Sequence, residues 1–141
     1  MLVTCRIAVV GVAVFAASGI AAPVPAERVK AEKELAAFAT KLHGTWEGNR
    51  GCQGRLILQA DGTYEWKFRG PGGDTDTGVW EMRGDTQSPT LSLKCKTSDD
   101  PERKGKTVDV KVVRMTEMSL AFKSPESAPL EFTRAMKSPK P

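Results

Sequence analysis

A chain of 141 residues with 40% apolar and 27% charged content supports one ordinary domain and excludes wholesale disorder. Aromatic residues make up only 6%, and there is no heptad or collagen-like bias. The net charge of +4, from 21 Lys and Arg against 17 Asp and Glu, reads as a small surplus spread along the chain, not as a nucleic-acid footprint.

Met1–Arg6 carries one positive charge and leads into Ile7–Ala22, an apolar run without a charged residue. That run is shorter than the roughly 20 residues needed to cross a bilayer, and small residues follow it. This is the layout of a secretory signal peptide. Residues 1–26 are expected to be removed, with the cut after Ala21, Ala22 or Ala26; Pro23 disfavours the middle choice. The remaining chain is then secreted or periplasmic, with no stable membrane span. Cys5 leaves with the signal, so Cys52 and Cys95 remain. An exported chain with an even pair of thiols favours a disulfide between them. It would close a loop worth about 4 kcal/mol in chain entropy.

Residues 27–43 predict a helix: Ala, Glu, Lys and Leu dominate, and Leu35, Phe38, Ala39 and Leu42 form one apolar stripe. His43 and Gly44 end it. From Gly44 the apolar period switches to two. Tyr64, Trp66 and Phe68 face away from Thr63, Glu65, Lys67 and Arg69. Leu91, Leu93 and Cys95 alternate with Ser92, Lys94 and Lys96; Val108, Val110 and Val112 alternate with Asp109 and Lys111. Met118, Leu120 and Phe122 continue the pattern, as do Leu130, Phe132 and Arg134. Each stretch reads as a strand with one buried face. Residues 44–49, 55–60 and 78–83 complete a set of eight. Short turns such as Asp61-Gly62 separate them, and a meander of eight strands can close and remove its edges. The expected fold is all-β: an eight-stranded antiparallel up-and-down barrel over 44–135, preceded by the helix and followed by a tail at 136–141. A two-sheet sandwich of the same strands is the alternative.

The connections at 50–54, 70–77, 96–106 and 124–128 would share one end, and those at 61–62, 84–89 and 115–117 the other. The first set is longer and richer in charge, glycine and proline, so function is expected at that rim. The mixed charges of 96–106 read as a solvated loop.

Gly44-Thr45-Trp46 opens the first strand, and Phe132-Thr133-Arg134 closes the last. This pairing resembles the lipocalin pattern, in which the tryptophan packs under an arginine of the final strand at the closed end. Barrel closure would independently make those two strands neighbours, with both side chains inward. Together with Asp-Gly-Thr-Tyr at 61–64 and Thr-Gly-Val-Trp at 77–80, the chain resembles small secreted bacterial lipocalin-like (calycin-type) domains of uncharacterised function. The resemblance implies structural roles for Trp46 and Arg134.

Eighteen apolar positions are expected to point inward, Val108 and Met118 among them. They either fill the barrel or leave room for one small ligand. The candidate ligand-binding residues are Tyr64, Trp66, Phe68, Trp80, Leu93 and Phe122. No Ser/His/Asp or Cys/His set is present, His43 stands alone, and no catalytic residue, cofactor or enzyme activity is expected. Asp74-x-Asp76 and Asp99-Asp100-x-Glu102 could gather a calcium ion but lack a recognisable ligand spacing, so no metal site is expected. The leading expectation is a monomeric, secreted binding protein that holds a small apolar ligand in or at the mouth of the barrel. The alternative is an extracytoplasmic protein-interaction module of protease-inhibitor type with a filled core.

Overall fold

The computed structural model describes residues 25–49, 54–125 and 128–136. The expected signal segment, Cys52 and the end of the tail lie outside them. Helix α1 (Ala26–Leu42) is followed by strands β1 (Gly44–Gly48), β2 (Arg55–Leu58), β3 (Thr63–Lys67), β4 (Thr75–Arg83), β5 (Thr90–Ser98), β6 (Thr107–Met115), β7 (Ser119–Lys123) and β8 (Leu130–Arg134). Every strand pairs antiparallel with the next, and β1 pairs with β8, so the sheet is a closed barrel in sequence order. Closure excludes the sandwich. Among the described residues, no helix is long and apolar enough to cross a membrane.

Alternation within the strands sets the interior. Trp46, Leu56, Leu58, Leu91, Leu93, Val110, Leu120, Phe122 and Phe132 are buried on the inner face, and Trp80 joins them toward the closed end. Two of the expected inward positions are instead in water: Val108 is 51% exposed and Met118 41% exposed. Val108 stands at the open rim, where the barrel no longer covers it. Met118 belongs to the turn before β7, outside the closed end. A bulge between Val112 and Arg114 interrupts the β6 alternation and leaves Val113 exposed.

The closed end is built around one arginine. In register, Trp46 pairs with Arg134, and the Arg134 guanidinium lies 4.2 Å above the Trp46 ring. Its Nη1 donates to the His43 carbonyl at 2.8 Å, Nη2 to the Lys41 carbonyl at 2.7 Å, and Nε to the Glu117 carbonyl at 2.6 Å. The Trp46 indole donates to the Leu42 carbonyl at 2.9 Å. Unpaired carbonyls at the end of α1 are thus satisfied by two side chains from the strands that close the barrel. The helix end, the β6–β7 turn and the closing seam are locked together. Gly44 has φ +133°, and a Cβ there would stand 2.7 Å from Arg134 Nη1, so glycine is required at the approach.

Arg134→Ala removes three charge-assisted hydrogen bonds and the cover of Trp46. We expect a loss of about 2–4 kcal/mol, read from the urea midpoint, with Arg134→Lys recovering less than half because ammonium lacks the fork.

Candidate functional site

The open end differs from the closed end in what it leaves unfilled. On the inner face, the register aligns Leu58, Tyr64, Gly78 and Cys95 in one row and Leu56, Trp66, Asp76 and Ser98 in the next. Gly78 has no side chain to contribute, and a Cβ there would meet the Lys94 carbonyl at 2.0 Å and Tyr64 Cε1 at 3.0 Å. The Tyr64 ring therefore lies against bare backbone, and a cleft of about 200 Å³ remains above it. Its apolar wall is Tyr64, Trp66, Phe68, Leu93 and Val108, and its polar rim includes Asp76 and Arg103. Trp66 and Phe68 stack at 4.8 Å between ring centres.

Arg103, from the β5–β6 loop, crosses this mouth. Its Nε lies 3.0 Å from Asp76 Oδ2, its Nη2 3.1 Å from Asp74 Oδ2, and its Nη1 3.2 Å from Asp100 Oδ2. The guanidinium also sits 4.6 Å from the centre of the Phe68 ring. Asp76 is only 6% exposed, and the Ser98 hydroxyl donates to its Oδ1. Three of the five acids that sequence spacing marks as candidate cation ligands thus converge on a side chain of the same molecule. The loop is not merely solvated, because a buried carboxylate draws its arginine inward.

The Cys95 thiol is buried in the same cleft, 3.2 Å from the Thr97 carbonyl to which it donates. Burial raises its pKa above the ordinary thiol value, and the Asp76 charge adds to the effect. Tyr64 is pushed far above its ordinary value of 10.0, first by burial and then by the neighbouring Cys95 and Asp76. On Arg103, burial works downward, but the bonds to Asp74 and Asp76 outweigh it and the net shift is up. These shifts hold the cleft's phenol and thiol neutral, which suits an apolar surface more than a reactive one.

Of the six candidate ligand residues, the structure brings Tyr64, Trp66, Phe68 and Leu93 around the cleft. Trp80 lies toward the closed end, its indole donating to the Gln59 carbonyl at 3.0 Å and its ring edge-on to His43. Phe122 is packed in the core against Phe132. Cys95 reaches the cleft, while its expected disulfide partner Cys52 lies outside the described residues. Asp76 and Arg103 were not expected at the site. Carrying the β4 alternation back from Trp80 and Gly78 would have put Asp76 on the inner face. Outside the closed end, a larger groove of about 560 Å³ has Met115, Met118 and Arg134 in its wall but no aromatic residue, and that arginine is already fully engaged.

No protein-family model matches the chain, and no curated protein matches it. The closed eight-stranded barrel with its leading helix is compatible with a lipocalin-like fold.

Tyr64 is the only tyrosine, so its titration can be followed without overlap. Its folded pKa is raised, so the stability it carries is whole below the unfolded value near 10 and drains as pH rises beyond it. Phenolate absorbance is expected to appear only as the protein unfolds in alkali. Tyr64→Phe should move that unfolding to higher pH.

Proposed function

We propose that this chain is an exported, lipocalin-like binding protein that holds a small apolar molecule, about the size of one aromatic ring, at the mouth of its barrel. The observation that carries this reading is the aromatic-walled cleft of about 200 Å³ above a filled interior. A dry cavity of roughly 150 Å³ lined by apolar side chains takes up benzene, so this volume is sufficient for one ring. It is below the roughly 300–1,000 Å³ of pockets for larger ligands. Tyr64, Trp66, Phe68 and Leu93 supply the apolar contact, and Asp76 and Arg103 offer a polar edge that would select an orientation. Export rests on the apolar leader at 7–22 and the small residues after it. A Cys52–Cys95 disulfide in the oxidised protein would tether the first long loop beside the cleft.

The filled lower barrel favours a second reading, an extracytoplasmic interaction module of protease-inhibitor type that uses its rim loops. Fluorescence separates the two. Titration of the oxidised protein with fatty acids, hydrophobic dyes and small monocyclic aromatics should give a saturable change with the last class only. Trp66→Phe should remove most of that change, because Trp66 lines the cleft and stacks on Phe68. Trp80→Phe should preserve it, since Trp80 stands at the other end. A flat response to every compound would sink the carrier reading and leave the interaction module.

A further inference from the structure

The charge of this protein is segregated on the barrel wall. Residues 90–123 hold eight Lys and Arg against five Asp and Glu, giving three of the chain's four surplus charges. Arg6 is the fourth, and all other residues balance at twelve of each sign. The surplus is therefore not spread along the chain as the linear sequence suggests.

The two halves of the wall handle charge differently. On β1–β4, each basic residue has an acidic neighbour: Arg55 with Glu47, Lys67 with Glu65, Arg83 with Glu81. On β5–β7, Asp109 is the sole acid among five basic residues. Arg114 reaches Glu131 on β8, while Lys94, Lys96, Lys111 and Lys123 form no ion pair with a described residue. All four are exposed; Lys94 and Lys111 stand between buried side chains and Lys123 follows buried Phe122, so these three project from the outer face, while Lys96 is the extra residue of a bulge in β5. Lys111 stands directly opposite Lys123 across the β6–β7 pair. Like charges in that position oppose strand pairing unless an anion lies between or above them. Beside them, Thr90, Asp109, Ser124 and Pro125 complete a surface cleft of about 470 Å³.

We propose that the outer wall of β5–β7 binds a linear acidic polymer carrying repeated sulfate, phosphate or carboxylate groups. The shape and composition of the wall select this occupant. A barrel wall is convex, and a flexible chain can follow it whereas a flat bilayer would touch only one or two strands. The wall has no exposed aromatic or large apolar anchor for a membrane, Val113 being its one exposed apolar residue on these strands apart from rim Val108. It also lacks the outward-facing rings on which single-stranded bases would stack. Lysines at strand spacing, roughly 5–7 Å apart, offer point charges suited to repeated oxyanions. This surface is separate from the mouth cleft and stands whether or not a ligand is held there.

The test uses the mature protein with a fluorescent heparin fragment as probe. Binding is expected at low ionic strength, with affinity falling roughly 50-fold or more between about 50 and 200 mM salt. Lys111→Glu with Lys123→Glu should weaken it by at least about tenfold. Arg55→Glu with Lys67→Glu makes the same change in net charge on β2–β3, across the barrel from β6–β7, and should leave affinity within about twofold. Equal losses in the two double variants would overturn the proposal, because net charge alone would then explain binding. So would absence of binding, or tighter binding to phosphatidylglycerol vesicles than to the polymer. Unchanged circular dichroism and urea midpoints in both double variants separate a lost surface from a lost fold.

Discussion

The stacking of Arg134 on Trp46 is the constraint on which the barrel depends. A meander of eight strands has two free edges until the first and last strands meet, and the register that joins them places these two side chains together. The guanidinium then spends its remaining donors on carbonyls of Lys41, His43 and Glu117. One side chain thereby fixes the seam, the end of α1 and the β6–β7 turn. Burial of Leu42 and the packing of Phe38 and Ala39 on the core follow from a helix held at that angle. The rest of the helix surface stays in water, stabilised modestly by the i,i+4 pairs Arg28–Glu32 and Lys30–Glu34.

The open end repeats the device with different acceptors. Arg103 also covers an aromatic ring, Phe68, and also distributes its donors over three groups. At the closed end the acceptors are neutral backbone carbonyls. At the open end they are the carboxylates of Asp74, Asp76 and Asp100. The same cation–aromatic geometry therefore makes a lock on neutral acceptors below and an ion-paired cover above. The aromatic cleft lies against the second of these.

Much of the architecture was legible because most of these strands have one buried face. Alternation in 63–68, 91–95 and 120–122 set face and order, and Asp61-Gly62 marked a hairpin. Trp46 and Arg134 could be paired from the two ends of the chain because the lipocalin-like pattern couples such residues and closure makes their strands neighbours. The charged part of the site was less visible. Asp76 lies on an apolar face, which pattern reading rejects, and its partner Arg103 lies 27 residues further on in a loop of mixed charge. No short-range period links them; only the fold brings the ion pair together. Trp80 and Phe122 share the inward face with Trp66, but their height along the barrel axis depends on register, which alternation alone does not set.

Asp76 also limits what the mouth can admit. A cover that swung away with its loop would leave this carboxylate in a nearly closed space with Ser98 as its remaining donor. Stripping the partner from a fully buried pair costs about 3–5 kcal/mol. The figure is smaller here, because the Arg103 side chain keeps 35% of its surface in water. A molecule of a few heavy atoms would still have to replace much of that loss from its own contacts before gaining any affinity. It meets no such cost by entering beside Arg103 against Tyr64, Trp66 and Leu93, with the ion cluster and the Arg103–Phe68 contact intact. The geometry thus favours entry beside the arginine over displacement of it. Under the proposed carrier function, ligand size would be set by the gap the aromatic wall leaves, and not by the width of the barrel.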